Sequence, residues 1–303
     1  MMMWRIPLRE RTVVPSFDES SDLMEFVHET NSVSFFQGGF ARVHELKDLN
    51  TNERYAGNTP PFWESESNLR FSGKIIHKSR ISKPHHKEKI SREIELHASL
   101  SHRNVVQFFK HFEDSENIYI MLENCTLKSL VHVQKARVTV TEPEMRYYMA
   151  QLCDGVAYIH QQHIIHRDLK LGNLFLTASM AVKIGDFGLA TRLGQEKKGT
   201  ICGTPNYISP EVLNKEGHGF PADVWALGCC MYALLVGAPP FETSTLKETY
   251  SRIAENHYTI PESLSKGAYH LIKKLLHPNP KQRPSVAAIT QVFLLTLNRT
   301  LMH

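Results

Sequence analysis

No apolar run in this 303-residue chain approaches the ~18 residues that a bilayer-spanning helix requires, so no membrane partner is expected. Charge of one sign is also missing. The 35 basic and 31 acidic side chains leave a net charge of +4, too mild for a dedicated nucleic-acid surface. Cysteine is sparse: residues 125, 153, 202, 229 and 230 form no Cys-x-x-Cys and do not pair evenly, which points to a reducing, intracellular setting. The first ten residues have no long apolar core, so a secretory leader is not expected. With 42% hydrophobic residues the chain has material for a sizeable core, as one large domain or two small lobes.

The run Ile165-His166-Arg167-Asp168-Leu169-Lys170-Leu171-Gly172-Asn173, followed by Gly185-Asp186-Phe187-Gly188, carries the chemistry. Phosphoryl transfer asks a protein mainly to position groups and balance charge around a triphosphate. Asp168 is suited to accept the proton of an attacking hydroxyl, while Asn173 and Asp186 offer oxygen ligands for Mg²⁺ on the nucleotide phosphates. His-Arg-Asp-Leu-x-x-x-Asn is matched without a gap, and the two motifs in this order rarely coincide by accident. They read as a protein kinase that uses ATP. Lys170, two residues past Asp168, marks the serine/threonine class and is placed to neutralise the γ-phosphate.

Along the chain the pattern changes once. Residues 1–33 are mixed and polar and read as a partly disordered flank; 34–123 read as a small β-rich N-lobe with one main helix, and 124–303 as a larger helical C-lobe. A strand, a Gly-Gly turn and a second strand are expected from Val33 to Val43, a helix from Lys87 to Leu100, and a strand over Asn117 to Glu123. Thr141 and Glu144 form a capping box ahead of Met145, Tyr148, Met149, Leu152, Val156 and Ile159 at helical spacing. Val224 to Val236 is apolar all round, the mark of a buried helix. The class is α+β and bilobal, with nucleotide expected between the lobes.

A strand lysine that meets the α- and β-phosphates, steadied by a helix glutamate, completes the set. Lys74 in Phe71-Ser72-Gly73-Lys74-Ile75-Ile76 fits the first role and Glu93, nineteen residues on, the second. The glycine-rich loop is poor in glycine. Gly-x-Gly-x-x-Gly-x-Val maps onto Phe36 to Val43, where the second glycine, Gly38, and Val43 remain and Phe36 replaces the first. Gly38 and Gly39 still let backbone amides approach phosphate closely.

Gly38-Gly39-Phe40-Ala41, Lys83 to Lys89, Ile165 to Leu176, Lys183 to Ala190, Cys202 to Glu211, Gly237 to Thr243 and Leu246 to Ile253 together resemble the catalytic domain of a polo-like serine/threonine kinase. The resemblance runs from about Gly38 to about residue 295. It implies ATP and Mg²⁺ as cofactors, Ser/Thr hydroxyls of protein substrates in acidic context, and a role in the cell cycle and mitosis. It also implies an upstream activating kinase and residence in cytoplasm, nucleus or centrosome. The family's polo-box docking module has no counterpart in these 303 residues, so targeting through it is not expected. Backbone groups of Glu123 and Cys125 would meet adenine, with Phe175 beneath it. Thr200 matches the activating position, and its phosphate would give Arg167 about two negative charges to bind. Thr204 would orient Asp168, Glu211 would pair with Arg283, and Asp223 would support the catalytic-loop backbone.

One departure is an insert, 58–73, between Arg54-Tyr55-Ala56-Gly57 and Lys74; it ends in Arg70-Phe71-Ser72-Gly73, echoing the Arg54-Tyr55-Ala56-Gly57 that precedes it. It reads as a retained cassette. If Arg70 to Ile76 forms the strand, Lys74 falls in place; if Arg54 to Gly57 does, Asn58 takes the lysine's position. The first register is favoured because Ile75, Ile76 and the helix beyond continue only from Lys74. The insert, Phe36 and the missing docking module leave a pseudokinase or scaffold as the alternative. The histidines at 160, 163 and 166 lack cysteine or carboxylate partners at metal-binding spacing, and Cys229-Cys230 reads as core. The basic run from His77 to Lys89 has no interleaved aromatics and reads as solvated.

Overall fold

The computed structural model describes residues 11–16, 24–29, 41–48, 70–195, 201–291 and 293. They fall into two compact units, 1–94 with 107–124 and 95–106 with 125–303, so the division passes inside a helix and returns at residue 124.

The first unit is built on an antiparallel sheet of β1 (Arg11–Ser16), β2 (Met24–Glu29), β3 (Ala41–Asp48), β4 (Arg70–His77), β5 (Phe108–Glu113) and β6 (Asn117–Glu123). Their order is β1-β2-β3-β4-β6-β5. β6 has the bounds its dense β-branched and aromatic run predicts. β4 resolves the register question: Lys74 lies inside it, opposite Val43 of β3 and Ile120 of β6. The rival segment 54–57 lies outside the described residues. Within residues 1–33, read as a flank, the structure places the two strands β1 and β2, where no strand is expected. Thr12, Val13 and Val14 of β1 and Phe26 and Val27 of β2 are strand formers, and the two pair antiparallel, Val13 opposite Val27.

Alternation along β4 and β6 sends side chains to two apolar clusters. Ile76 and Ile120 pack with Ile81, Ile90 and Phe108 on one, and Tyr119 and Met121 with Phe71, Ile75 and Phe112 on the other. Ile90 lies on α1 (Pro84–Ala98), which starts three residues before the expected Lys87 because Pro84 suits the first turn, where its missing N–H costs nothing.

The second unit is mainly helical. Its elements include α2 (Leu130–Arg137), α3 (Glu142–Gln161), β7 (Ile164–Ile165), β8 (Leu174–Leu176), β9 (Val182–Ile184), β10 (Thr191–Arg192) and α4 (Pro210–Leu213), followed by α5 (Phe220–Val236), α6 (Leu246–Ala254) and α7 (Lys266–Leu275). The capping box forms as spelled: Thr141 Oγ1 accepts from the Glu144 amide and Glu144 accepts from the Thr141 amide. α5 is buried on every side from Ala222 to Leu235 and stops at Gly237, whose φ of 96° is left-handed. Gly228 lets α7 close on α5; a Cβ there would stand 2.8 Å from Leu275 Cβ. α2 ends in a tight turn at Val138 (φ 65°, ψ −61°), closed by the Thr139 amide on the Arg137 carbonyl at 2.8 Å. That is a strained three-residue turn, held here by a β-branched and 63% exposed residue.

Candidate active site

In the second unit, β7 leads into the loop of Asp168 and the β8–β9 hairpin leads into Asp186. The Asp168 carboxylate is fixed through both oxygens. Oδ1 accepts from the Thr204 amide at 3.1 Å and the Thr204 hydroxyl at 2.7 Å. Oδ2 accepts from Lys170 Nζ at 2.7 Å and Asn173 Nδ2 at 3.0 Å. Lys170 Nζ also reaches Thr204 Oγ1 at 2.8 Å, and Asn173 Nδ2 the Asp168 carbonyl at 2.8 Å. Four sequence-predicted residues are thus brought into one cluster.

Asp223, on α5, holds the backbone beneath that cluster. It is 1% exposed; Oδ2 accepts from the His166 amide and Oδ1 from the Arg167 amide, both at 2.9 Å. His160 Nε2 donates to the same Oδ2 at 2.9 Å. Burial pushes the Asp223 carboxyl pKa up, but the bond from His160, the nearby imidazoles and the His166 amide outweigh it and hold the pKa below its ordinary value. His166 spans two motifs: its Nδ1 accepts from the Asp168 amide at 3.3 Å and its Nε2 donates to the Gly185 carbonyl at 3.2 Å. Phe187, 1% exposed, has its ring 5.0 Å from His166 and 4.6 Å from His97. Gly185 leaves room for the Phe175 ring, which a Cβ would meet at 2.9 Å. Arg167, at φ 65°, donates from Nε to the Leu189 carbonyl at 2.6 Å.

Asn173 Oδ1 is buried with no hydrogen-bond partner among the described residues, because its amide nitrogen takes all the Asp168 contacts. An acceptor kept dry in this way, with the Asp186 carboxylate as the other predicted donor, is an all-oxygen set that fits a hard divalent cation. Glu211 and Arg283 pair as expected, Nη1 to Oε1 at 2.7 Å and Nη2 to Oε2 at 2.8 Å, with the guanidinium 4.9 Å from the Trp225 ring centre. This pair fastens chain segments and touches no reacting group.

In the first unit, Lys74 Nζ meets Glu93 Oε1 at 2.5 Å, with side-chain exposures of 16% and 6%. The Glu123 amide donates to the Gln107 carbonyl at 2.9 Å, and Glu123 Oε2 accepts from the Gln107 amide at 3.1 Å. Cys125, half-buried in the second unit, accepts through its carbonyl from the Lys128 amide at 3.2 Å. Gly38, Gly39 and Thr200 lie outside the described residues, and of Val43 only the backbone pairing is described.

Sequence reasoning missed His160, the double role of His166, and the anchor at Asn104. Asn104 Nδ2 donates to the Val182 carbonyl at 2.9 Å, and Gln151 Oε1 accepts from the Val182 amide at 3.1 Å. Neither has a spacing signal, since the partners are 78 and 31 residues away.

Comparison with known proteins gives the same direction. The protein kinase domain model matches residues 53–294. The chain is 54% identical over 252 residues to serine/threonine-protein kinase PLK2 of Mus musculus, covering 82% of this chain and 35% of that protein. It is 46% identical over 281 residues to serine/threonine-protein kinase polo of Drosophila melanogaster, covering 90% and 46%. Against serine/threonine-protein kinase PLK1 of Xenopus laevis it is 50% identical over 252 residues, covering 82% and 40%. The chain therefore spans less than half the length of each of these relatives.

Proposed function

This chain belongs to the protein kinase family, with a catalytic domain of polo-like type, and from that premise we propose that it is an ATP-dependent protein serine/threonine kinase. The observation that carries the reading is the Asp168 carboxylate, gripped by Thr204, Lys170 and Asn173. A general base must face its proton in a fixed pose, and such a grip supplies that without spending the base on a structural partner elsewhere.

Asp168 orients the substrate hydroxyl and accepts its proton as the oxygen attacks the γ-phosphorus in line. Lys170 offsets charge gathering on the transferred phosphoryl group. Lys74, steadied by Glu93, is assigned to the α- and β-phosphates, and the backbone at Glu123 and Cys125, with Phe175, to adenine. The family uses a divalent cation, which we take to be Mg²⁺; Asn173 and Asp186 would hold it, and when bound it neutralises phosphate charge. Thr204 and Asp223 are positioning residues, the first for the carboxylate and the second for its loop.

Protein substrates follow from the family; acidic context, activation by an upstream kinase at Thr200 through Arg167, and a place in cytoplasm, nucleus or centrosome are further parts of the proposal. A cell-cycle role fits the polo-like relatives. The test is phosphate incorporation into a serine peptide by wild type and Asp168→Asn. Turnover should fall about 10²–10⁴-fold while binding of Mg·ATP stays nearly unchanged. Turnover of Asp168→Asn at the wild-type rate would remove the assignment.

A further inference from the structure

Beyond Glu262 the sequence contains no aspartate or glutamate through His303, while it holds Lys266, Lys273, Lys274, Lys281, Arg283 and Arg299. Arg283 is spent on Glu211 inside the fold. Four lysines remain on the described surface, three of them on α7 and Lys281 in the short turn of helix that follows it. Ala268, Ile272 and Leu275 are the buried side of α7, and Lys266, Tyr269, His270, Lys273 and Lys274 are exposed. Among the described residues no carboxylate pairs with Lys266, Lys274 or Lys281, and Lys273 lies 4.9 Å from the Tyr258 ring centre.

Lys273 and Lys274 in the last turn suit the negative end of the helix, but the rest of the arrangement does not. Lys266 and Lys274 stand in one row of the helix, with His270 between them. Lys266 occupies the first helical position, at the positive end of the macrodipole, with no acid in the first turn of α7 itself. The carboxylate at that end belongs to Glu142 of α3, and both its oxygens are taken by Ser265, from the amide and the hydroxyl at 2.8 Å each. A solvated helix face gains from mixing its charges; this one keeps a single sign at a local cost.

We propose that this face of α7, with Lys281 beyond it, docks an extended acidic segment of a partner protein. The spacing suits that occupant. Lys266 and Lys274, eight residues apart, lie ~12 Å apart along the helix, close to the ~13 Å between same-side carboxylates four residues apart in an extended chain. Tyr269, 41% exposed in the neighbouring row, offers an apolar edge to the segment's backbone. A membrane suits it poorly, because the apolar side of α7 is already in the core and nothing large remains to insert. Double-stranded nucleic acid suits it poorly as well. It carries a charge every ~1.7 Å along its axis, far denser than four lysines without an arginine fork can match.

The test is fluorescence anisotropy of the full chain with a labelled peptide of about 12 residues alternating glutamate and serine. The variants are Lys266→Glu/Lys274→Glu/Lys281→Glu and the milder triple change to glutamine, each checked for its fold by circular dichroism. Wild type should bind, more weakly as salt rises. Glutamine should weaken binding about tenfold and glutamate should abolish it, on the scale set by losing several complementary charges at an exposed interface. Equal binding by all three proteins, or no binding by wild type, overturns the proposal. So does tighter binding of a duplex RNA or of phosphatidylserine vesicles than of the peptide, with the same loss in the variants. None of these readouts depends on kinase activity.

Discussion

Lys74 in the first unit meets the carboxylate of Glu93, whereas Asp168 in the second is held by four donors from three residues. Below Asp168 a second layer exists: Asp223 fastens the amides of His166 and Arg167, and His160 fastens Asp223. Lys74 itself sits in a strand paired on both sides within its sheet, opposite Val43 and Ile120. The place of Lys74 is therefore set by strand register, and that of Asp168 by redundant local bonds in two layers.

The comparison breaks first where redundancy is structural. Removing Arg283 with alanine strands the buried Glu211 charge, and urea unfolding should show a loss of about 3–5 kcal/mol. Next comes Asp223→Asn, which keeps the shape but weakens bonds to two amides and His160. A loss of about 1–3 kcal/mol is expected, together with lower kcat at little-changed KM for ATP. Its pH dependence has a definite sign. The folded Asp223 carboxyl titrates below the ordinary aspartate range, so its contribution is complete above that range and is lost as pH falls through the lowered pKa. The stability gap between wild type and Asp223→Asn should therefore hold at neutral pH and narrow only as pH falls below about 4. The smallest effect on stability is expected at Glu93→Gln, about 1 kcal/mol, because an acceptor for Lys74 remains. Its mark should instead be a raised KM for ATP. A kcat loss with unchanged KM would erase the contrast drawn between the two units.

What could be read from the chain follows the same line. Asp168, Lys170 and Asn173 lie within six residues, so their meeting is nearly a property of the loop's covalent geometry, and the letters alone carry it. The Thr141 cap and the buried α5 are likewise local, one fixed by a four-residue box and the other by an unbroken apolar run. Lys74 was legible only through the continuity of Ile75 and Ile76 into the next elements, and β4 takes that register. His160, Asn104 and Gln151 were not legible, since they act on partners a helix or a hairpin away and obey no period. β1 and β2 escaped because each is only six residues long, with Pro15 in the first and Glu25 and His28 breaking the apolar run of the second.

The turn at Val138 has a practical side. It is the end of α2, remote in sequence from every residue given a chemical role, and its backbone shape is one that glycine adopts at no steric cost. A protein engineer wanting a hardier version of this protein could begin there, recovering energy now stored in a bent peptide without touching the Asp168 loop.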